Sequence, residues 1–166
     1  MDKVTAKTIL LVEDDCSLRE ALSECIAALY PEWRVLEAMH GKAGLEIAQR
    51  ELPDFILFDF CMPLMTGYEM AVALREQPRT CQIPLVLISG EDLHNPLVAR
   101  LKTMCCTTLM KPFEFKELED LLTQLEDGHH QARMLSFPSS PQIPLMMVLD
   151  SQNRVMTKAK VSQLPQ

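Results

Sequence analysis

Four places along this 166-residue chain carry side chains that could do chemistry together. Glu13-Asp14-Asp15 follow the aliphatic run Ile9-Leu10-Leu11-Val12, and Asp59 interrupts an apolar run just after Phe55-Ile56-Leu57-Phe58. Ser89 follows Leu85-Val86-Leu87-Ile88, and Lys111 follows Thr107-Thr108-Leu109-Met110. Burying a lone carboxylate costs several kcal/mol unless it is paired, protonated or bound to a metal, so Asp59 needs partners. Magnesium takes oxygen ligands in an octahedron and keeps several waters, so one or two carboxylates suffice to hold it. Glu13, Asp14 and Asp59 supply that set. A carboxylate is also a competent nucleophile for phosphoryl transfer, where catalysis is mostly positioning plus neutralisation of charge. Lys111 offers an ammonium, Ser89 a hydroxyl donor, and Gly90 leaves space beside a phosphoryl group.

Each element has a plainer reading when taken alone. Acids after a strand are favoured at helix starts by the macrodipole, and Asp15 fits helix entry better than metal ligation. Ser89 alone reads as a turn hydroxyl, Lys111 as a surface ammonium and Asp59 as hydrogen-bonded polarity. Their common location, each at the end of an apolar run, favours the joint reading.

The elements that must position them follow from periodicity. Thr8 to Val12 reads as a strand, and Ser17-Leu18-Arg19-Glu20 as a capping box opening a helix with Leu18, Leu22, Cys25, Ile26 and Leu29 at helical spacing. Trp33 to Glu37 reads as a second strand and Gly41 to Arg50 as a helix. Asp54 to Asp59 is apolar on both faces, as in a buried parallel sheet. Thr66 to Glu76 is helical, Ile83 to Ile88 a fourth strand, Leu93 to Met104 a weaker helix, and Thr107 to Met110 a fifth strand. Glu114 to Leu125 predicts a last helix whose core face carries Phe115, Leu118, Leu121, Leu122 and Leu125. Strands alternating with helices over about 125 residues fit one doubly wound α/β domain, which binds ligands outside the carboxyl ends of its strands.

Composition narrows the classes. Apolar residues make up 48% and charged residues 23%, as in ordinary globular proteins. The net charge of -7 argues against a general binder of nucleic acid or anionic membrane. No run approaches the ~20 apolar residues of a membrane span, and the early acids do not suit a secretory signal, so cytoplasmic residence is expected. The six cysteines, Cys16, Cys25, Cys61, Cys81, Cys105 and Cys106, form no CxxC pair and read as reduced thiols. Cys61 stands out, two residues after Asp59.

The tail differs in balance: from Gly128 onward four basic residues, Arg133, Arg154, Lys158 and Lys160, face only Asp150. Residues 128–144 read as a Ser- and Pro-rich linker. Residues 145–166 read either as a β-hairpin, which would need a surface to dock on, or as a disordered extension.

The motifs "ILLVEDD", "DFILFDFCMPLMTGYE", "IPLVLISGED" and "MKPFEFKEL" together resemble the receiver domain of two-component response regulators, over about residues 6 to 127. The resemblance implies a flavodoxin-like five-stranded parallel sheet in the order 2-1-3-4-5, similar to stand-alone chemotaxis receivers. It implies that Asp59 is the phosphoacceptor, with Mg2+ held by Glu13, Asp14, Asp59 and the backbone carbonyl of Cys61. Ser89 and Lys111 would contact the phosphoryl group, and the Lys111-Pro112 bond would be cis. Cys61 and Glu91 lie where the family tunes the lifetime of that group. Two places depart from the family pattern. Thr108 stands where an aromatic switch residue normally moves with the Ser89 position. Met104 replaces the usual glycine ahead of the fifth strand.

By this reading the chain is no enzyme beyond its own phosphorylation and dephosphorylation. Its partners are a sensor histidine kinase or a histidine phosphotransfer protein, and a downstream protein at the face of the fourth helix, fifth strand and fifth helix. Phosphorylation-dependent dimerisation is a further expectation. Membrane contact is not expected, and nucleic-acid binding by this chain alone is not expected either. Two other readings use the same residues. One is a receiver-like module whose interactions ignore phosphate, motivated by Thr108 and Met104. The other is a phosphatase-type enzyme, which would need a general acid beside Asp59, a role to which Cys61 is poorly suited.

Overall fold

Two of the strands are buried at every position: β3 (Phe55–Asp59) and β4 (Leu85–Ser89). Only a parallel sheet covered by helices on both faces accounts for such unbroken apolar runs. A computed structural model describes residues 6–90, 95–104, 107–132, 148–149 and 155–156. In it β1 (Thr8–Val12) lies between β3 and β2 (Arg34–Ala38), and β5 (Thr107–Met110) closes the sheet beside β4. All neighbouring pairs are parallel and the order is β2-β1-β3-β4-β5, the expected doubly wound, flavodoxin-like sheet.

Helices α1 (Cys16–Leu29), α2 (Gly41–Glu51), α3 (Gly67–Glu76), α4 (Pro96–Met104) and α5 (Phe115–Ala132) follow the successive strands. Alternation along the strands sorts the core into two layers. Leu10, Val12, Ile56, Phe58, Leu85 and Leu87 pack with Ala48 of α2, Met70 and Leu74 of α3, and Val98 and Leu101 of α4. The intervening positions, Ile9, Leu11, Leu57, Val86 and Ile88, point to the other face, where Leu22, Ile26, Leu118 and Leu122 are also buried. Tyr30 at the end of α1 shares a hydroxyl–hydroxyl hydrogen bond of 3.2 Å with Thr123 of α5. Each fully buried Leu or Ile contributes roughly 1.5–3 kcal/mol relative to exposure.

The structure departs from the sequence expectations at several helix ends. Helix α1 opens at Cys16, and its cap is Asp15, which accepts from the Leu18 N–H at 3.1 Å; the expected box at Ser17 is not used. His40 caps α2 through Nδ1, which accepts from the Ala43 N–H at 3.1 Å. Thr66 and Glu69 form a reciprocal capping box on α3. Phe115, expected in the core, is 49% exposed, because it is the first residue of α5 and precedes the turn that meets the sheet. Helix α5 continues to Ala132, so residues 128–132 are helical where a linker was expected. The start expected for α4 at Leu93 lies outside the described residues, as do Cys105 and Cys106.

Contact density divides the chain into two units, residues 1–124 and 125–166. Within the second, β6 (Val148–Leu149) pairs antiparallel with β7 (Val155–Met156), inside the segment read as a hairpin or a disordered extension.

Candidate functional site

Register brings the reactive residues together. Val12 pairs with Phe58, so Glu13, one step beyond β1, is level with Asp59 at the end of β3. Ser89 pairs with Met110, which sets Lys111 one step beyond β5. The Lys111 N–H donates to the Ser89 carbonyl at 2.8 Å and holds that step in place. By alternation Glu13, Asp59 and Lys111 fall on one side of the sheet, so their side chains converge.

The convergence is tight. Lys111 Nζ donates to Asp59 Oδ1 and to Glu13 Oε2, each at 2.8 Å. The Cys61 N–H donates to Asp59 Oδ2 at 2.8 Å, so both oxygens of Asp59 are oriented. Glu13 and Asp59 are 2% and 6% exposed, whereas Asp14 is open to solvent. Carboxylate oxygens of Glu13, Asp14 and Asp59 lie within 4.8 Å of one another. Burial disfavours charge on Glu13 and raises its pKa above 4.5, with the Asp59 charge adding to the shift and Lys111 opposing it. For Lys111 burial would lower the pKa from 10.5, but its hydrogen bonds to Asp59 and Glu13 and their charges outweigh burial and raise it.

Three carboxylates face one ammonium here, and this excess negative charge in an all-oxygen donor set suits a hard divalent cation such as magnesium. Asp14 is the solvent-facing member of this set, and Glu13 and Asp59 are its buried members.

The loop after Asp59 is shaped around it. Leu64 adopts the left-handed region with φ 66°, and the Met65 N–H donates to the Pro63 carbonyl at 2.7 Å. Gly67 opens α3 directly against β3: a Cβ there would collide with the Asp59 carbonyl oxygen and the Phe58 ring. The Lys111-Pro112 bond is cis. Among the described residues a Cβ added at Gly90 would meet only Lys111 Cβ, at an ordinary contact distance of 3.7 Å.

Of the remaining predicted site residues, Ser89 is fully buried at the end of β4. Cys61 is exposed, with its backbone turned onto Asp59. Thr108 is half-buried in β5 in register with Leu87, two residues before the partner of Ser89. Glu91 lies outside the described residues. One residue at the site was not anticipated: Arg19 Nη1 donates to the Glu13 carbonyl at 2.8 Å. The signal available was its position, one helical turn after the acids.

Comparison with known proteins agrees with this geometry. The sequence profile of the response regulator receiver domain matches residues 9–123. The nitrate/nitrite response regulator NarL of Escherichia coli is 32% identical over 158 residues, covering 95% of this chain and 69% of NarL. The response regulator PleD of Caulobacter vibrioides is 37% identical over 106 residues, 63% of this chain, and this chain spans only 23% of PleD. Among solved structures, the receiver domain of the sensor histidine kinase PA1611 of Pseudomonas aeruginosa carries a magnesium ion in its active-site cleft. It matches with a TM-score of 0.65 at 26% identity, over 72% of this chain and 97% of that one.

Proposed function

The chain belongs to the response regulator receiver domain family, and on that premise we propose that Asp59 accepts a phosphoryl group in a magnesium-dependent step. The donor is a phosphorylated histidine of a sensor kinase or phosphotransfer protein, and the modified state switches protein–protein contacts. The observation that carries this reading is Asp59 at the end of a buried strand, 2.8 Å from Lys111 and inside an acidic triplet.

Glu13, Asp14 and Asp59, with the Cys61 carbonyl, would hold the ion, and when bound it neutralises charge on the phosphoryl oxygens. An Asp59 carboxylate oxygen attacks phosphorus, the O–P bond forms as the N–P bond breaks, and the electron pair leaves with the imidazole nitrogen. Lys111, already paired with Asp59, offers its ammonium to a phosphoryl oxygen. Ser89 offers its hydroxyl to another, and Gly90 leaves room for it. The group is transferred and later hydrolysed, with no turnover of a separate substrate. Leu97 on α4 and Phe115 on α5 are 38% and 49% exposed, which supports output through the α4-β5-α5 face, to a downstream protein or a second copy. Among the described residues no helix is long and apolar enough to cross a membrane, in keeping with cytoplasmic residence.

The test is incubation with acetyl phosphate and Mg2+, read on a phosphate-affinity gel. A shifted band in the parent that is absent in Asp59→Ala supports the reading, and identical behaviour of the two sinks it.

Thr108 favours a second reading, in which partner binding ignores phosphate. A small half-buried hydroxyl in β5 replaces the aromatic ring through which the family usually couples. Partner affinity unchanged by beryllofluoride and Mg2+ would select it.

A further inference from the structure

We infer that Arg19 is a positioning residue for the cation site, held by Glu37 and acting on the backbone that presents Glu13 and Asp14. The inference rests on the proposed cation site and names a part of it that the acidic residues alone do not supply. Arg19 lies in the first turn of α1, and its side chain is only 13% exposed. Its Nη1 donates to the Glu13 carbonyl at 2.8 Å, and its Nε donates to Glu37 Oε2 on β2 at 3.3 Å.

The two contacts add a side-chain tie to a turn that its backbone and Asp15 already hold at both ends. The Glu13 N–H donates to the Ala38 carbonyl at 3.1 Å, so this end of β1 is tied to β2 by its own backbone. Through Arg19 the Glu13 carbonyl is tied to the same strand a second time, at the neighbouring residue Glu37. On the far side of the turn the Asp15 N–H reaches Glu13 Oε1 at 3.3 Å, and Asp15 caps α1. Asp14 is therefore the exposed residue between two pinned neighbours. A guanidinium suits this role because its planar fork serves two acceptors at fixed angles, which a lysine ammonium does not reproduce. Outer contacts that orient metal ligands typically cost 10–100-fold in affinity when removed.

Electrostatics and positioning predict opposite signs here. Deleting a cation beside a cation site, by Coulomb's law alone, tightens Mg2+ binding. Loss of positioning weakens it.

The experiment is calorimetric titration of the full chain with Mg2+ for the parent, Arg19→Ala, Arg19→Lys, Glu37→Ala and the double variant. Circular dichroism and the urea midpoint without metal serve as folding controls. Arg19→Ala is expected to weaken Mg2+ binding about tenfold, with Arg19→Lys recovering little of it. Glu37→Ala is expected to weaken binding alone but to add nothing in the Arg19→Ala background, because it acts through the guanidinium. The acetyl phosphate reaction of Arg19→Ala should need more Mg2+ for half-maximal rate yet approach the parent rate at saturation. Equal or tighter Mg2+ binding by Arg19→Ala overturns the inference. Should that variant not fold, an equal Glu37→Ala effect in the parent and Arg19→Lys backgrounds overturns it instead. A parent that binds no Mg2+ rejects the proposed cation site itself, a different outcome.

Discussion

Lys111 Nζ stands 2.8 Å from Asp59 Oδ1, and the same ammonium reaches Glu13 Oε2 at 2.8 Å. One cation therefore bridges two strand ends and pairs with two carboxylates that a magnesium ion would also draw on. The competition has a sign. Lys111→Met removes the competitor and is expected to tighten Mg2+ binding several-fold in calorimetric titration, while slowing phosphorylation by acetyl phosphate at saturating Mg2+. Looser binding by this variant would show that the ammonium supports the site rather than competing for it.

Glu13 gives a pH dependence. Its folded pKa is raised above 4.5, so between the two values the native state binds more protons than the unfolded chain. Stability contributed by this group therefore falls as pH rises through that window. Lys111 runs the other way in origin: its raised pKa gives stability that is present below 10.5 and lost as pH climbs through the folded value. In buffer without added metal near neutral pH, Glu13→Gln is expected to melt above the parent, because it removes the charge that burial disfavours. The gain should vanish in acid below the unfolded pKa. A scanning calorimetry series across pH reads both, and a Glu13→Gln variant less stable at neutral pH contradicts the sign.

Most of this site could be read from the chain because strand ends are marked in sequence. Apolar runs stop where Glu13, Asp59, Ser89 and Lys111 begin, and a doubly wound sheet aligns such ends without further information. The start of α1 was less legible, since Asp15 and Ser17 are both competent caps and backbone geometry chooses between them. Phe115 shows a similar limit: its spacing matched the core face, but a residue at the first turn extends beyond the surface its helix covers. The roles of Arg19 and Arg75 were hard to read for another reason. Each acts on main-chain carbonyls, which carry no sequence identity.

Arg75, at the end of α3, donates to the carbonyls of Cys81 and Ile83 at 2.9 and 2.8 Å and to that of Met104 at 2.8 Å. It ties the entry of β4 to the end of α4. Arg75→Ala would leave these part-buried acceptors without the guanidinium, at a cost of about 2–4 kcal/mol. Urea unfolding measures it, and hydrogen exchange should rise at the end of α4 before it rises in β3.

Gly67 tests the shape of the acceptor loop. A methyl group there meets the Asp59 carbonyl and the Phe58 ring, neither of which can retreat from a packed strand. Gly67→Ala is expected to destabilise the fold by roughly 1–3 kcal/mol in urea titration. It should also slow phosphorylation, because the strain falls on the backbone of Asp59 itself. A neutral effect on both readouts would mean that the loop gives way more easily than its packing suggests.

The most direct test of the central claim is the intact mass of the protein after acetyl phosphate and Mg2+, with borohydride trapping to locate the modified residue. One added phosphoryl group is expected at Asp59, none without Mg2+ and none in Asp59→Asn. Phosphoryl transfer that persists in Asp59→Asn to the same extent, or a parent that stays unmodified with metal present, would contradict it.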